Sequence, residues 1–179
     1  LRADAIGRLS DWHAPDTGQE GLRRQYLAVL EREEGAMSRL GPAAHLTGSV
    51  IVLDPSGEHV LLTLHQKARR WFQFGGHFEA SDLTMWHGAL REAREESGIE
   101  DLDMLPDIVQ LNRHELGGAF GRCREHLDVR YVAVAPEDAS HAVSSESLDV
   151  RWWPAQSLPE ATRDELLPLV TAAQRLTRR

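Results

Sequence analysis

The sequence predicts an α/β/α fold, a mixed β-sheet sandwiched between helices, carrying a helical N-terminal extension. Three observations point there. Two strand-like apolar runs, HLTGSVIVLD (residues 45–54) and HVLLTLH (residues 59–65), flank the turn signal Pro55-Ser56-Gly57. Helical periodicity recurs before, between and after the strand-like runs without strict alternation, which favours a mixed sheet over a parallel one. The chain has 179 residues, 41% hydrophobic and 27% charged, a length and composition that suit a single domain with its own core.

The elements follow in order. Residues 1–43 read as a helical extension to a core of residues 44–179. A short, weakly amphipathic helix covers residues 3–12. Thr17-Gly18-Gln19-Glu20 has the spacing of a capping box, and Leu22, Tyr26, Val29, Leu30 and Met37 then recur at helical spacing to about residue 39. Gly41-Pro42 ends that helix. The extension is expected to be a layer over the sheet or a contact between copies, so a homodimer stays open. After the first hairpin, a short strand through residues 71–74 leads into Gly75-Gly76, and a helix over residues 84–97 stops at Gly98. Residues 108–116 and 123–135 read as a long hairpin around residues 117–121. A strand over residues 148–153 is broken by Pro154. A last helix over residues 161–176 carries Leu166, Leu169, Val170, Ala173 and Leu176 as its apolar stripe.

Composition excludes several classes. Acidic residues outnumber basic ones 28 to 20, for a net charge of −8, and no basic block tracks a nucleic-acid backbone. The longest apolar run, near Tyr131–Ala135, is far short of the ~20 residues of a membrane span. Arg2, Asp4 and Arg8 interrupt any leader-like segment at the start. Cys123 is the single cysteine and cannot form an intramolecular disulfide, so a cytoplasmic location is expected.

Chemistry concentrates in GGHFEASDLTMWHGALREAREESGI, residues 75–99. At about 100° per residue, Trp86, Ala89, Leu90, Ala93 and Ser97 share one helix face, while Glu92, Glu95 and Glu96 share a neighbouring arc. Three carboxylates at this spacing repel one another. Alone they are a common solvated face, but as clustered oxygen ligands they suit Mg²⁺ or Mn²⁺. Arg91, four residues before Glu95, is placed to orient a carboxylate. Gly75-Gly76 allows backbone to approach a metal or phosphate closely.

This segment resembles the Nudix box: Gly, five residues, Glu, seven residues, then Arg-Glu, an apolar residue, any residue, Glu-Glu, any residue, Gly and an apolar residue. The right half is complete as Arg91-Glu92-Ala93-Arg94-Glu95-Glu96-Ser97-Gly98-Ile99. On the left, Asp82 stands for the first Glu, eight residues rather than seven precede Arg91, and Phe74 replaces a proline often found before Gly-Gly. The resemblance implies the Nudix fold and a divalent-metal-dependent pyrophosphohydrolase that cleaves a diphosphate bond in a nucleoside diphosphate linked to another moiety. It also implies Glu92, Glu96, Glu95 and the Gly76 carbonyl as ligands of Mg²⁺ or Mn²⁺. A general base would come from Glu95 or from an acidic residue in the loop before the last strand, where Glu146 is favoured over Asp149.

Other candidates keep two readings. His77 follows Gly-Gly and either sits near the metals or is a loop histidine. His126, Asp128 and Arg130 share one strand face, which either lines the substrate cleft or faces outward. Cys123, in phase with Leu127 and Val129, reads as a small buried hydrophobe rather than a nucleophile. Trp71 and Phe72 are base-stacking or core aromatics, and Trp152 and Trp153 point to opposite faces. Two other functions remain: a catalytically silent nucleotide-sensing module, which should have damaged box glutamates, and an isopentenyl-diphosphate-isomerase-like member. The latter would want a catalytic cysteine and a histidine-rich metal site, which a mid-strand Cys123 does not supply.

Overall fold

The computed structural model describes residues 1–116 and 123–178; the expected turn at residues 117–121 lies outside the described residues. Four α-helices and eight strands are described. Helix α1 spans Arg2–Asp11 and α2 Thr17–Arg32. Strands β1 (Ala44–Leu53), β2 (His59–His65), β3 (Trp71–Phe72) and β4 (Phe74–His77) precede α3 (Met85–Ser97). Then come β5 (Asp103–Met104), β6 (Gln110–Glu115), β7 (Glu125–Val134), β8 (Ser147–Pro154) and α4 (Arg163–Thr177). No helix among the described residues is long and apolar enough to cross a membrane.

The sheet is mixed and centres on the parallel pair β1–β7, which stays in register from Ala44↔Glu125 to Leu53↔Val134. The other edge of β1 is shared. Its middle, Thr47–Val50, pairs antiparallel with β4, and its last residues pair with β2. This sharing divides the expected strand over residues 71–74: β3 joins β2, and after Gln73 the chain changes partner to join β1 as β4. The outer edge of β7 is divided likewise between β6 and β5, and β8 pairs with β2. Strand β5 is only two residues long, too short for an alternating pattern to reveal.

Alternation along β1 sends its residues to two cores. Leu46, Val50 and Val52 pack with Met85, Ala89 and Ala93 of α3 and with Leu9, Tyr26 and Leu30 of the extension. Ile51 and Leu53 pack with Leu166, Leu169, Val170 and Ala173 of α4. Trp152 and Trp153 divide between these two clusters, in keeping with their opposite faces.

The extension is bound into the first core. The Tyr26 hydroxyl donates to the carbonyl of Asn112 (2.7 Å), and the Gln19 side-chain amide satisfies both the N–H and the C=O of Leu111 (2.7 and 3.0 Å) on β6. Helix α2 starts one residue earlier than its Thr-x-x-Glu spacing implies, because Asp16 is the N-cap and accepts from the Gln19 amide. It also ends at Arg32 instead of about residue 39. Beyond Glu33 the chain runs through turns, and the Ala36 carbonyl accepts from Leu46 N–H of β1 (2.8 Å). Met37 is buried in that turn, so its helical spacing was coincidental.

Candidate active site

Helix α3 is delimited by local chemistry. The Thr84 side chain accepts from the His87 amide at the N-cap, and Gly98 closes the other end at φ 72°. Asp4 of α1 accepts from the Met85 amide (2.9 Å), so a carboxylate of the extension meets the positive end of the helix dipole. Ala89 and Ala93 press onto β1, which turns Glu92 and Glu96 toward β4 and leaves Glu95 largely exposed.

Arg91 is the hub of the helix surface. Its Nε and Nη2 donate to the two oxygens of Asp82 (3.1 and 3.0 Å), a fork matched to a carboxylate. Nη2 also donates to the His77 carbonyl, and Nη1 donates to Glu92 (2.9 Å) and Glu95 (3.1 Å). One guanidinium therefore fixes two box glutamates, the strand and the loop. Asp82 is buried, and its Oδ2 also accepts from the Glu79 amide (2.7 Å). Burial opposes its ionisation, but these hydrogen bonds outweigh burial and hold its pKa below the ordinary carboxylate value. The shorter side chain at the first box position thus still reaches Arg91.

Glu92 and Glu96 face the Gly-Gly strand. A Cβ on Gly76 would stand 2.6 Å from Glu92 Oε2, so only glycine lets this carboxylate lie against β4. Gly75, at φ 152°, turns its N–H to Glu96 Oε2 (2.9 Å). Burial pushes the Glu96 pKa up to about 7; the Gly75 amide opposes this, and the charges of Glu92, Glu146 and Glu95 add to it. Glu92 is raised too, chiefly by burial, with Arg91 opposing. Arg91 bonds to Glu92 and Glu95 but not to Glu96. Crowded, half-buried oxygen donors without a matching positive charge fit a hard divalent cation. Glu146 is exposed in the loop before β8, and its backbone carbonyl accepts from Gln66 N–H (3.0 Å). Its charge adds to the rise in pKa of both Glu92 and Glu96. Asp149 is held within β8 by Arg151 (2.7 Å).

The remaining candidates lie on the other face of β1, β4 and β7. Asp128 and Arg130 are internal, which corrects the expectation of an outward polar face. Arg130 is 0% exposed and donates to Asp128 (3.0 Å), Gln110 (3.1 Å) and Glu165 of α4 (2.9 Å). Asp128 also accepts from Thr47 (3.1 Å) and Ser49 (2.6 Å), so both residues are committed to one another and to the sheet. His77 pairs with Thr47 in register, one residue after Gly76, so its ring points away from Glu92. It meets His45 and His126, with ring centroids 5.1 and 4.9 Å away. Burial, reinforced by neighbouring histidines, lowers the pKa of His77 to about 4 and of His126 to about 3.

Cys123 is buried, as expected, but not in mid-strand. It precedes β7, and its Sγ is 3.9 Å from His77 Nε2, away from the core that holds Leu127. His45 was not singled out in the sequence, because its relation to His77 and His126 exists only once three strands are paired.

Comparison with known proteins gives this α/β/α frame its class. The NUDIX domain model matches residues 44–173, most of the chain. The chain therefore belongs to the Nudix family of hydrolases. No match is found among curated proteins. Among solved structures, the chain is similar to a NUDIX-family hydrolase from Clostridium perfringens, at 22% identity and TM-score 0.60, over 74% of this chain and 97% of that one. It is similar to a C. elegans Ap4A hydrolase at 16% identity and TM-score 0.59, over 74% and 97% of the two chains. The E. coli dihydroneopterin triphosphate pyrophosphohydrolase matches at 17% and 0.57, over 69% and 91%. At these identities the likeness is one of fold.

Proposed function

We propose that this chain is a Mg²⁺- or Mn²⁺-dependent pyrophosphohydrolase that splits a diphosphate bond in a nucleoside diphosphate derivative. The observation that carries this reading is Glu96: a carboxylate held near a pKa of about 7 by burial and by three neighbouring glutamates, against a glycine-lined strand. The neighbours of similar fold that hydrolyse Ap4A or dihydroneopterin triphosphate lend it support.

In this reading Glu92 and Glu96 hold the cation, with Glu95 and the Gly76 carbonyl as further donors. Bound there, the cation would neutralise diphosphate oxygens and acidify an attacking water. Arg91 is a positioning residue: anchored by Asp82, it aims Glu92 and Glu95. Glu146, or Glu95, takes the proton as the water oxygen bonds to phosphorus and the anhydride P–O bond breaks. The far phosphate leaves with the bridging oxygen, and the water oxygen stays on the attacked phosphorus. His77, His126, Asp128 and Arg130 do not enter this scheme, since their side chains lie on the opposite face of the sheet.

The test is a panel of ADP-ribose, sugar nucleotides, dinucleoside polyphosphates and nucleoside triphosphates, with Mg²⁺ or Mn²⁺, scored by product mass. Isopentenyl diphosphate belongs in the same panel, because Cys123 lies beside three histidines. Two phosphorylated fragments from a nucleotide, formed only with the cation, are expected. Binding without turnover would favour a sensing module, and isomerised isopentenyl diphosphate would favour the isomerase branch.

A further inference from the structure

We propose that His45, His77, His126 and Cys123 form a structural Zn²⁺ site, separate from the glutamate cluster and on the other face of β4. One donor atom from each residue lies within 4.8 Å of all the others. They arrive from three paired strands and the segment before β7: His45 on β1 stands in register with His126 on β7, and His77 ends β4. Three imidazoles and one thiol are the ligand types of tetrahedral zinc centres, and four protein donors make a closed, structural one.

The state of the rings supports this assignment independently. His45 is buried, and its Nδ1 lies 2.9 Å from the Pro42 carbonyl, which can only accept; the proton is therefore on Nδ1 and Nε2 keeps a lone pair. Among the described residues that Nε2 has no hydrogen-bond partner, nor does the buried Nε2 of His126. Buried polar nitrogens are rarely left unpaired. A carbonyl bond on one ring nitrogen that frees the other is the usual support of a metal-bound histidine. Zinc–ligand lengths of ~2.0–2.3 Å put tetrahedral donors ~3.3–3.8 Å apart. The Cys123 Sγ to His77 Nε2 distance of 3.9 Å is already close to this, and since all four donors lie within 4.8 Å of one another, no pair needs to close by more than ~1.5 Å. The ion would tie β1, β4 and β7 together behind Gly76. Mg²⁺, which prefers six oxygens, has no claim on such donors.

The experiment titrates the chelator-treated full chain with Zn²⁺, and separately with Co²⁺, in excess Mg²⁺ to keep the carboxylates occupied. One Zn²⁺ per chain is expected, together with a tetrahedral Co²⁺ spectrum that includes a thiolate charge-transfer band. Cys123→Ser should abolish that band and weaken Zn²⁺ binding by more than ~10-fold. His126→Gln should weaken binding similarly but keep the band, and it serves as the second variant if the first fails to fold. Glu96→Gln should leave Zn²⁺ affinity unchanged whatever it does to hydrolysis, so this site and the proposed activity fail separately. An octahedral Co²⁺ spectrum without the band, Zn²⁺ affinity unchanged in both Cys123→Ser and His126→Gln, or affinity lost in Glu96→Gln would overturn the assignment.

Discussion

Glu96→Gln should stabilise the metal-free protein while abolishing its chemistry. Gln keeps an oxygen to accept from the Gly75 amide but carries no charge into the crowded pocket. The pKa of Glu96 rises from an ordinary 4.5 to about 7 on folding. Below pH 4.5 both states hold the proton, and the wild-type residue costs nothing. Between 4.5 and about 7 the unfolded chain ionises first, and stability falls with rising pH; above about 7 the full cost is present. A shift of this size corresponds to a ceiling of ~3 kcal/mol, and ~1–3 kcal/mol is expected once local relaxation is allowed for. For a chain of this size that is a gain of ~3–10 °C in Tm. The assay is thermal melting of both proteins at pH 4 and pH 8 in chelator, then at pH 8 with Mg²⁺. The variant should melt higher at pH 8 in chelator and level with wild type at pH 4. Mg²⁺ should raise wild type more than the variant, since a ligand of the native state stabilises it by an amount that grows with the logarithm of its affinity. A variant that melts at or below wild type at pH 8 in chelator would refute the reasoning.

The other predictions concern the groups around it. Asp82→Asn leaves the Arg91 guanidinium without its forked partner and should cost ~1–3 kcal/mol in a denaturant titration, less than a fully buried pair because Arg91 is partly solvated. Turnover should fall with it, as Glu92 and Glu95 lose their anchor. Glu146→Gln should lower kcat by ~10²–10⁴ if its carboxylate is the base. Its exposed position should keep the change in stability within ~0.5 kcal/mol. Gly76→Ala drives a methyl group into Glu92; a misplacement of this kind should cost ~10²-fold in turnover and raise the Mg²⁺ concentration needed for half-maximal rate.

The legible parts of this molecule were those written in local pattern. The β1–β2 hairpin, α3 with its cap at Gly98, and the stripe of α4 follow from period, turn residues and caps within short windows. The glutamate arc and the orienting role of Arg91 were visible for the same reason, since both are set by spacing on one helix. Asp82 could be found by position, but its fork to Arg91 depends on how the loop folds back. The end of α2 is hidden in the sequence because Met37 continues a helical rhythm that the turns after Glu33 break. The histidine cluster was illegible, because it depends on the register of β1 against both β4 and β7. Strand phase places Asp128 and Arg130 on one face but does not say that α4 covers it.

Strand β4 is four residues long, and adjacent positions on it serve opposite sides of the sheet: Gly76 backs Glu92, while His77 joins the imidazoles. Its pairing with β1 covers only Thr47–Val50. A deletion or insertion of one residue between Gln73 and Gly75 would slide this segment by a step and exchange its faces. A histidine would then be thrust at the carboxylates, and an empty glycine would be left among the rings. Neither side can drift in length without spoiling the other. Over generations, such a segment should tolerate changes in the loops at either end far more readily than a change in its own count.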